Sequence, residues 1–401
     1  MKHVYTKHFC CEQIATKIQW TLLTLMLVCF QFAVGSNYYW VGGSGTWSDF
    51  ANHWATTSGG TSFYTQIPTS ADDVFFDANS FTGVSKTITI NSTLYSCHNM
   101  DWTNAISGAV FTSGSSAYVL NIYGSLILNS TMVNSFNGTI KFSATTAGNT
   151  ITTNGKSLAG NVVFDGVGGG WILQDVFTTP NGTITLNSGT LNSNGQTVNC
   201  SSFTSTVATP RGLIMGSSVF NVSYISFTSW QVYAPGLTLN AGTSTINLTG
   251  NNPSFSPGIG FGGGAGLTYY DLNVPGPCKS ASIRSAMNFH NVNFATDGEI
   301  YSSCTFNNLT FSPNHAYTLT NGTTQTINGS LSATATCTTP ITLKSSTPSI
   351  QATINSPNPV SVAYLNIRDM KATGAQTIVS IRVITPAGHL LEEAEGKTYT
   401  G

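Results

Sequence analysis

The sequence predicts an all-β fold, a right-handed parallel β-helix (β-solenoid) closed at its N-terminus by an aromatic capping segment. Three observations carry this prediction. From about residue 85 the chain is a series of short β-type runs broken by Asn, Gly, Ser and Pro, with no amphipathic helical stretch of useful length. One type of run recurs at multiples of roughly 19 residues, and fixed periods of about 20 to 50 residues mark solenoids and related arrays. Charged residues make up 7% of the chain, against about 25% in ordinary globular proteins, so Ser, Thr, Asn and 40 Gly must supply the polar surface.

Residues 1–35 read as a signal peptide. Lys2, Lys7 and Lys17 precede an apolar run from Trp20 to Val34, and Ala33 and Gly35 offer small residues at a cleavage point. The run is shorter than the roughly 20 residues a spanning helix needs, so the expectation is a secreted or cell-surface protein with no membrane insertion after cleavage.

Residues 36–84 form the N-terminal cap segment, rich in Trp, Asp and His. The exposed end of a solenoid has to be covered, and terminal units are atypical for that reason. Trp40, Trp47 and Trp54, seven residues apart, are therefore read as cap packing rather than as a sugar-stacking platform. Asp49, Asp72, Asp73 and Asp77 offer oxygen ligands to calcium, which takes six to eight of them. Their spacing fits no EF-hand loop, and turn-making aspartates account for them. Calcium is the single cofactor left open.

Residues 85–379 are the solenoid repeats. The recurring run is an aromatic or apolar residue, two spacers, then alternating apolar residues: Tyr224 to Phe227, Tyr269 to Val274, Phe289 to Phe294, Phe306 to Phe311 and Tyr364 to Ile367. With Ile225, Leu272, Val292, Leu309 and Leu365 as anchors, the intervals are 47, 20, 17 and 56. A second type follows Gly, at Gly124–Leu128, Gly138–Phe142, Gly182–Leu186 and Gly242–Leu248. Alternation along a strand would send the apolar members inward and Ser, Thr and Asn outward, with Gly and Asn at corners that need positive φ. The stretch from Gly258 to Gly266 lacks Lys and a following helix, and reads as a flexible loop rather than a phosphate cradle. Residues 380–401, with Glu392, Glu393 and Glu395 near Arg382 and Lys397, read as a C-terminal tail or the start of a truncated following segment.

The block Tyr38-Tyr39-Trp40-Val41-Gly42-Gly43-Ser44-Gly45-Thr46-Trp47-Ser48-Asp49, then Asn52-His53-Trp54 and Pro68 to Asp77, resembles the opening of large secreted β-helix proteins of Bacteroidetes-type bacteria. Many of these are adhesin-like or cargo of the type IX secretion route. The resemblance continues as a looser repeat style to about residue 374, where Ala363-Tyr364-Leu365-Asn366-Ile367-Arg368-Asp369 looks like closing rungs. It implies a secreted β-solenoid with an adhesive role.

The formal net charge of -1 supplies neither the counterion release that drives nucleic-acid binding nor attraction to anionic lipid, so both partners are disfavoured. Cys97, Cys200, Cys278, Cys304 and Cys337 follow residue 35, an odd set without a CxxC pair, which argues against a zinc site or a disulfide framework. A pairing of Cys278 with Cys304 across neighbouring rungs stays open. His53, His98, His290 and His315 form no metal-ligand pattern. The best catalytic candidates are Asp297 and Glu299, with Asp271, Lys279, Arg284 and His290 near in sequence, because glycoside hydrolysis needs two converging carboxyl groups. Thr296-Asp297-Gly298-Glu299, however, reads as a turn. The expectation is thus an adhesin-like binding or structural protein contacting polysaccharide or a cell-surface glycan through polar rungs. The alternatives are a polysaccharide-active β-helix enzyme, lyase or glycoside hydrolase, and an inert envelope element.

Overall fold

The structure, a computed structural model, describes residues 35–81, 86–226, 229–251, 254, 258–358, 360, 362–374, 383–384 and 390–391. Residues 1–34 of the expected signal peptide and the charged residues of the tail lie outside them. The described chain is a parallel β-solenoid of about 13 turns. Each turn contributes strands to three faces in a fixed order. In one coil, residues 197–200 belong to the first face, 203–205 to the second and Arg211–Ile214 to the third; Val219–Val222, Trp230–Val232 and Leu237–Asn240 of the next coil pair with them in parallel. Among the described residues no helix is long and apolar enough to cross a membrane.

Alternation does what the pattern requires. On the first face Phe220, Ile246, Leu272, Val292, Leu309 and Leu331 stack in register and are buried. On the second, Phe203, Trp230 and Phe261 stack with ring centroids 4.5 and 5.8 Å apart. The runs Tyr269 to Val274, Phe289 to Phe294 and Phe306 to Phe311 lie on successive coils, with aromatic over aromatic and Leu272 over Val292 over Leu309. The intervals of 20 and 17 are therefore true coil lengths.

The intervals of 47 and 56 are not. Leu272 follows Ile246, not Ile225, and Leu309 is followed by Leu331, while Leu365 pairs with Ile341 on the second face. Coil length also varies widely: Asn291 meets Asn308, but Trp230 meets Phe261. The period is loose because corner loops grow without disturbing the ladder. Nor do the Gly-led runs form one kind of strand, since Leu126–Ile127, Thr139–Phe142 and Thr245–Leu248 sit on the third, second and first faces. Gly258 to Gly266 is also not a loop throughout. Ile259–Gly262 is a strand between Trp230–Val232 and Ser280–Ile283, and its Ile259 and Phe261 are fully buried.

Corners use the expected residues. Asn154–Gly155 and Asn194–Gly195 both adopt positive φ, 49° and 78°, 53° and 73°. Each Asn side chain also donates to a carbonyl of the preceding coil, Asn154 to Leu128 at 2.7 Å and Asn194 to Leu173 at 3.1 Å.

At the N-terminal end Asn37–Trp40 pairs antiparallel with Trp54–Ala55 and parallel with Asp73–Phe75, around one helical turn, Phe50–His53. Trp54 meets Trp40 and Trp47 edge-on at 5.0 and 4.9 Å, Trp40 stacks on His53 at 4.5 Å, and Phe76 stacks on Trp102 at 3.9 Å. The three Trp residues are 0% exposed, which leaves no face for a sugar.

Cys97, Cys200, Cys278 and Cys304 are free and buried, so Cys278 and Cys304 do not pair; Cys337 is exposed. Burial pushes the Cys200 thiol up to about 12 and the Cys304 thiol to about 11, and raises the Tyr269 and Tyr317 hydroxyls. An unfolded thiol titrates near 8.5, so the stability linked to these groups is fully present below that pH and lost as pH rises toward 11 and 12. The free energy of unfolding should fall by on the order of 2 kcal/mol or more between pH 9 and 11, with a shallower fall in Cys304→Ala. Urea melts across that range check this, and a flat profile would contradict it.

Candidate functional site

The most regular feature outside the core is a pair of polar columns on the first face. In one, Thr178, Asn199, Asn221, Asn247, Asn273 and Asn293 stand in register on successive coils. Asn221, Asn247 and Asn273 each donate through Nδ2 to the Oδ1 of the Asn before, at 2.8, 2.8 and 3.3 Å, and Asn199 donates to Thr178 Oγ1 at 3.1 Å. The adjacent column runs Asp271, Asn291, Asn308, Ser330, with bonds of 2.8 Å at each step. Strand alternation turns these side chains outward because their neighbours fill the core. A primary amide has two N–H groups and two lone pairs. The column uses one of each, so the rest point to solvent at rung spacing, about 4.8 Å.

Three histidines share one geometry. His98 Nδ1 lies 2.8 Å from Asp73 Oδ1, His290 Nδ1 3.2 Å from Asp271 Oδ1, and His315 Nδ1 3.2 Å from Asp297 Oδ1. In each pair the His immediately precedes the position opposite the Asp: Asn291 in the ladder itself, and Asn99 and Ala316 one step before the pairs Val74–Met100 and Gly298–Tyr317. Asp73 and Asp297 also accept the backbone N–H of that register partner, at 3.0 and 2.9 Å. The His follows its Asp by 25, 19 and 18 residues, so no single spacing in the sequence marks the device.

Asp297 and Glu299 lie on a strand, Asp297–Ile300, and not in a turn. Gly298 is the reason the segment resembled one. It points inward where the Tyr317 and Phe294 rings fill the space, and an added Cβ would sit 2.9 Å from Tyr317. The two carboxylates therefore share the outer side of the second face. Asp297 is held by His315 and Ala316, and Glu299 accepts the Tyr301 hydroxyl, over whose ring the Arg284 guanidinium lies at 5.0 Å. The bond to Glu299 raises the Tyr301 pKa, helped by burial. Asp271 and His290, near in sequence, stand on the first-face side with the polar column, while Lys279 is exposed beyond it.

The four calcium candidates do not converge. Asp49 accepts from Asn52 at 2.9 Å, Asp72 from Thr69 N and Oγ1 at 2.8 and 2.6 Å, Asp73 from the His98–Asn99 pair, and Asp77 from Asn79 N at 2.9 Å. Among the described residues no group of three or more His, Cys, Asp or Glu is placed to hold a metal ion.

The third face carries two grooves, each of about 460 Å³. One is lined by Ala147, Gly168, Gly169, Thr190, Arg211 and Thr238, the other by Leu239, Asn240, Gly242, Thr268, Tyr270 and His290. Sequence reasoning singled out neither, nor Arg211 and Tyr270 within them.

By fold, then, the chain is a three-faced parallel β-solenoid with an outward asparagine column. Comparison with protein-family models, with curated proteins and with solved structures finds no match.

Proposed function

We propose that this protein is a secreted or cell-surface solenoid that binds polysaccharide or a cell-surface glycan through its polar columns. The observation that supports this reading most directly is the Asn199–Asn221–Asn247–Asn273 column. It offers neutral donors and acceptors at a fixed repeat, matched to hydroxyl-rich polymers and indifferent to charge. Each contact is weak, and affinity accumulates when one polymer engages many rungs at once. The adhesin-like resemblance of residues 38–81 and the signal-peptide pattern of residues 1–35 agree with it. The enzyme alternative draws on one feature, the shared outer side of Asp297 and Glu299.

The test is to incubate residues 36–401 with insoluble polysaccharides, with and without calcium, and to read both retention and new reducing or unsaturated ends. Retention without new ends is expected. Retention should fall about tenfold in an Asn221→Ala, Asn247→Ala variant, the effect of two hydrogen bonds of roughly 0.7 kcal/mol each. New ends that vanish in Asp297→Asn, Glu299→Gln would make the protein an enzyme, and no retention at all would sink the binding reading.

A further inference from the structure

The third face has a break. Arg211–Ile214 pairs with Leu237–Asn240, but the ladder does not pass on to residues 268–269, which pair instead with 288–289. Leu213 is fully buried, whereas its register partner Leu239 is only partly buried at the break. The groove of about 460 Å³ opens there, within the size range of ligand sites.

Its floor is aromatic. The Tyr270 ring stacks on His290 with centroids 4.1 Å apart and planes 15° from parallel. Ala241 and Gly242 also line the groove, with too little side chain to fill it. His290 is held in place because its Nδ1 contacts Asp271 Oδ1 at 3.2 Å and Asn291 Nδ2 at 2.9 Å; neither partner engages Nε2. Asn240 and Thr268 add neutral hydrogen-bonding groups at the rim, and the charge nearby is confined to the Asp271–His290 pair.

We infer that this groove is a subsite for one neutral pyranose ring, seated with its C–H face on the side of Tyr270 away from His290 and its hydroxyls toward Asn240 and Thr268. The inference rests on the glycan-binding reading and places one sugar of the polymer at a defined point. An apolar ring face beside uncharged polar groups suits a pyranose better than a phosphate or a carboxylate, for which the groove offers no fixed cation. Asp271 also heads the second polar column, so the hydrogen bonds that hold His290 continue into Asn291 and Asn308.

Cellohexaose and laminarihexaose are the probes, titrated calorimetrically into residues 36–401 with wild-type and variant chains. Tyr270→Ala should weaken hexasaccharide binding about tenfold and Tyr270→Phe should retain it, because the stack and not the hydroxyl carries the contact. Unchanged affinity in Tyr270→Ala overturns the subsite. So does polymer retention by the wild type without any hexasaccharide binding, which leaves the column reading standing. If the wild type retains no polysaccharide and binds no hexasaccharide, the glycan reading itself has failed.

Discussion

Replacing Arg211 with Met should destabilise the fold by about 3–5 kcal/mol, and Arg211→Lys should restore only a fraction of that. Arg211 is 4% exposed and begins a third-face strand. Its guanidinium donates to Ser205 Oγ and to the carbonyls of Ser205 (2.9 Å), Thr209 (3.1 Å), Pro235 (2.9 Å) and Tyr233. Arginine has five N–H donors, and all five are used. Ser205 ends the second-face strand, Thr209 lies in the corner after it, and Tyr233 and Pro235 lie in the same corner of the next coil, so one side chain fastens two coils beside the backbone bonds Tyr233 N–H to Ser205 O and Arg211 N–H to Gly236 O, both 2.8 Å. Without it the two buried bonds to Ser205 are lost at about 1.5–3 kcal/mol each, as for bonds to a charged donor, although Ser205 O keeps the Tyr233 N–H at 2.8 Å; the Thr209, Tyr233 and Pro235 carbonyls sit on exposed residues and turn to water, and release of a buried cation offsets part of the loss. Lysine brings charge but not the planar fork. Urea unfolding followed by far-UV circular dichroism reads the effect; a loss under 1 kcal/mol in Arg211→Met would show that water replaces the guanidinium.

Trp230→Ala should cost a similar 3–5 kcal/mol, by a different route. Trp230 is fully buried between Phe203 and Phe261, with Phe220 and Tyr269 set edge-on at 5.6 and 6.3 Å. Its indole N–H points to the Tyr269 hydroxyl at 3.4 Å, and that hydroxyl donates to Gly263 O at 2.6 Å. Truncation leaves a cavity at the midpoint of the stack, and a solenoid is held together only by contacts between adjacent coils. The transition should therefore split into two, the coils before and after residue 230 melting separately, with new proteolytic cleavage between them. A single undivided transition would argue that coupling runs further than one coil. Tyr269 precedes Tyr270, so hexasaccharide binding should weaken in the same variant.

Much of the fold was legible because burial imposes a period of two on every strand. The runs at 269–274, 289–294 and 306–311 are recognisable as repeats and stack residue on residue. Ile225 and Leu365 misled for the same reason: any short β run matches the pattern, and only hydrogen-bonded register says which coil it belongs to. Asp297-Gly298-Glu299 resembled a turn because glycine serves turns, whereas here it makes room for Tyr317.

The sequence by itself determined the architecture. Few charges, short alternating runs and Asn–Gly corners permit a chain of stacked strands and little else. Tertiary structure decided what faces what. The asparagine column, the Asp–His pairs, the staple at Arg211 and the Tyr270 groove all join residues on neighbouring coils. Coil length varies with each corner loop, so the distance in sequence between such partners carries no fixed value, and their meeting is set by the register of the ladder.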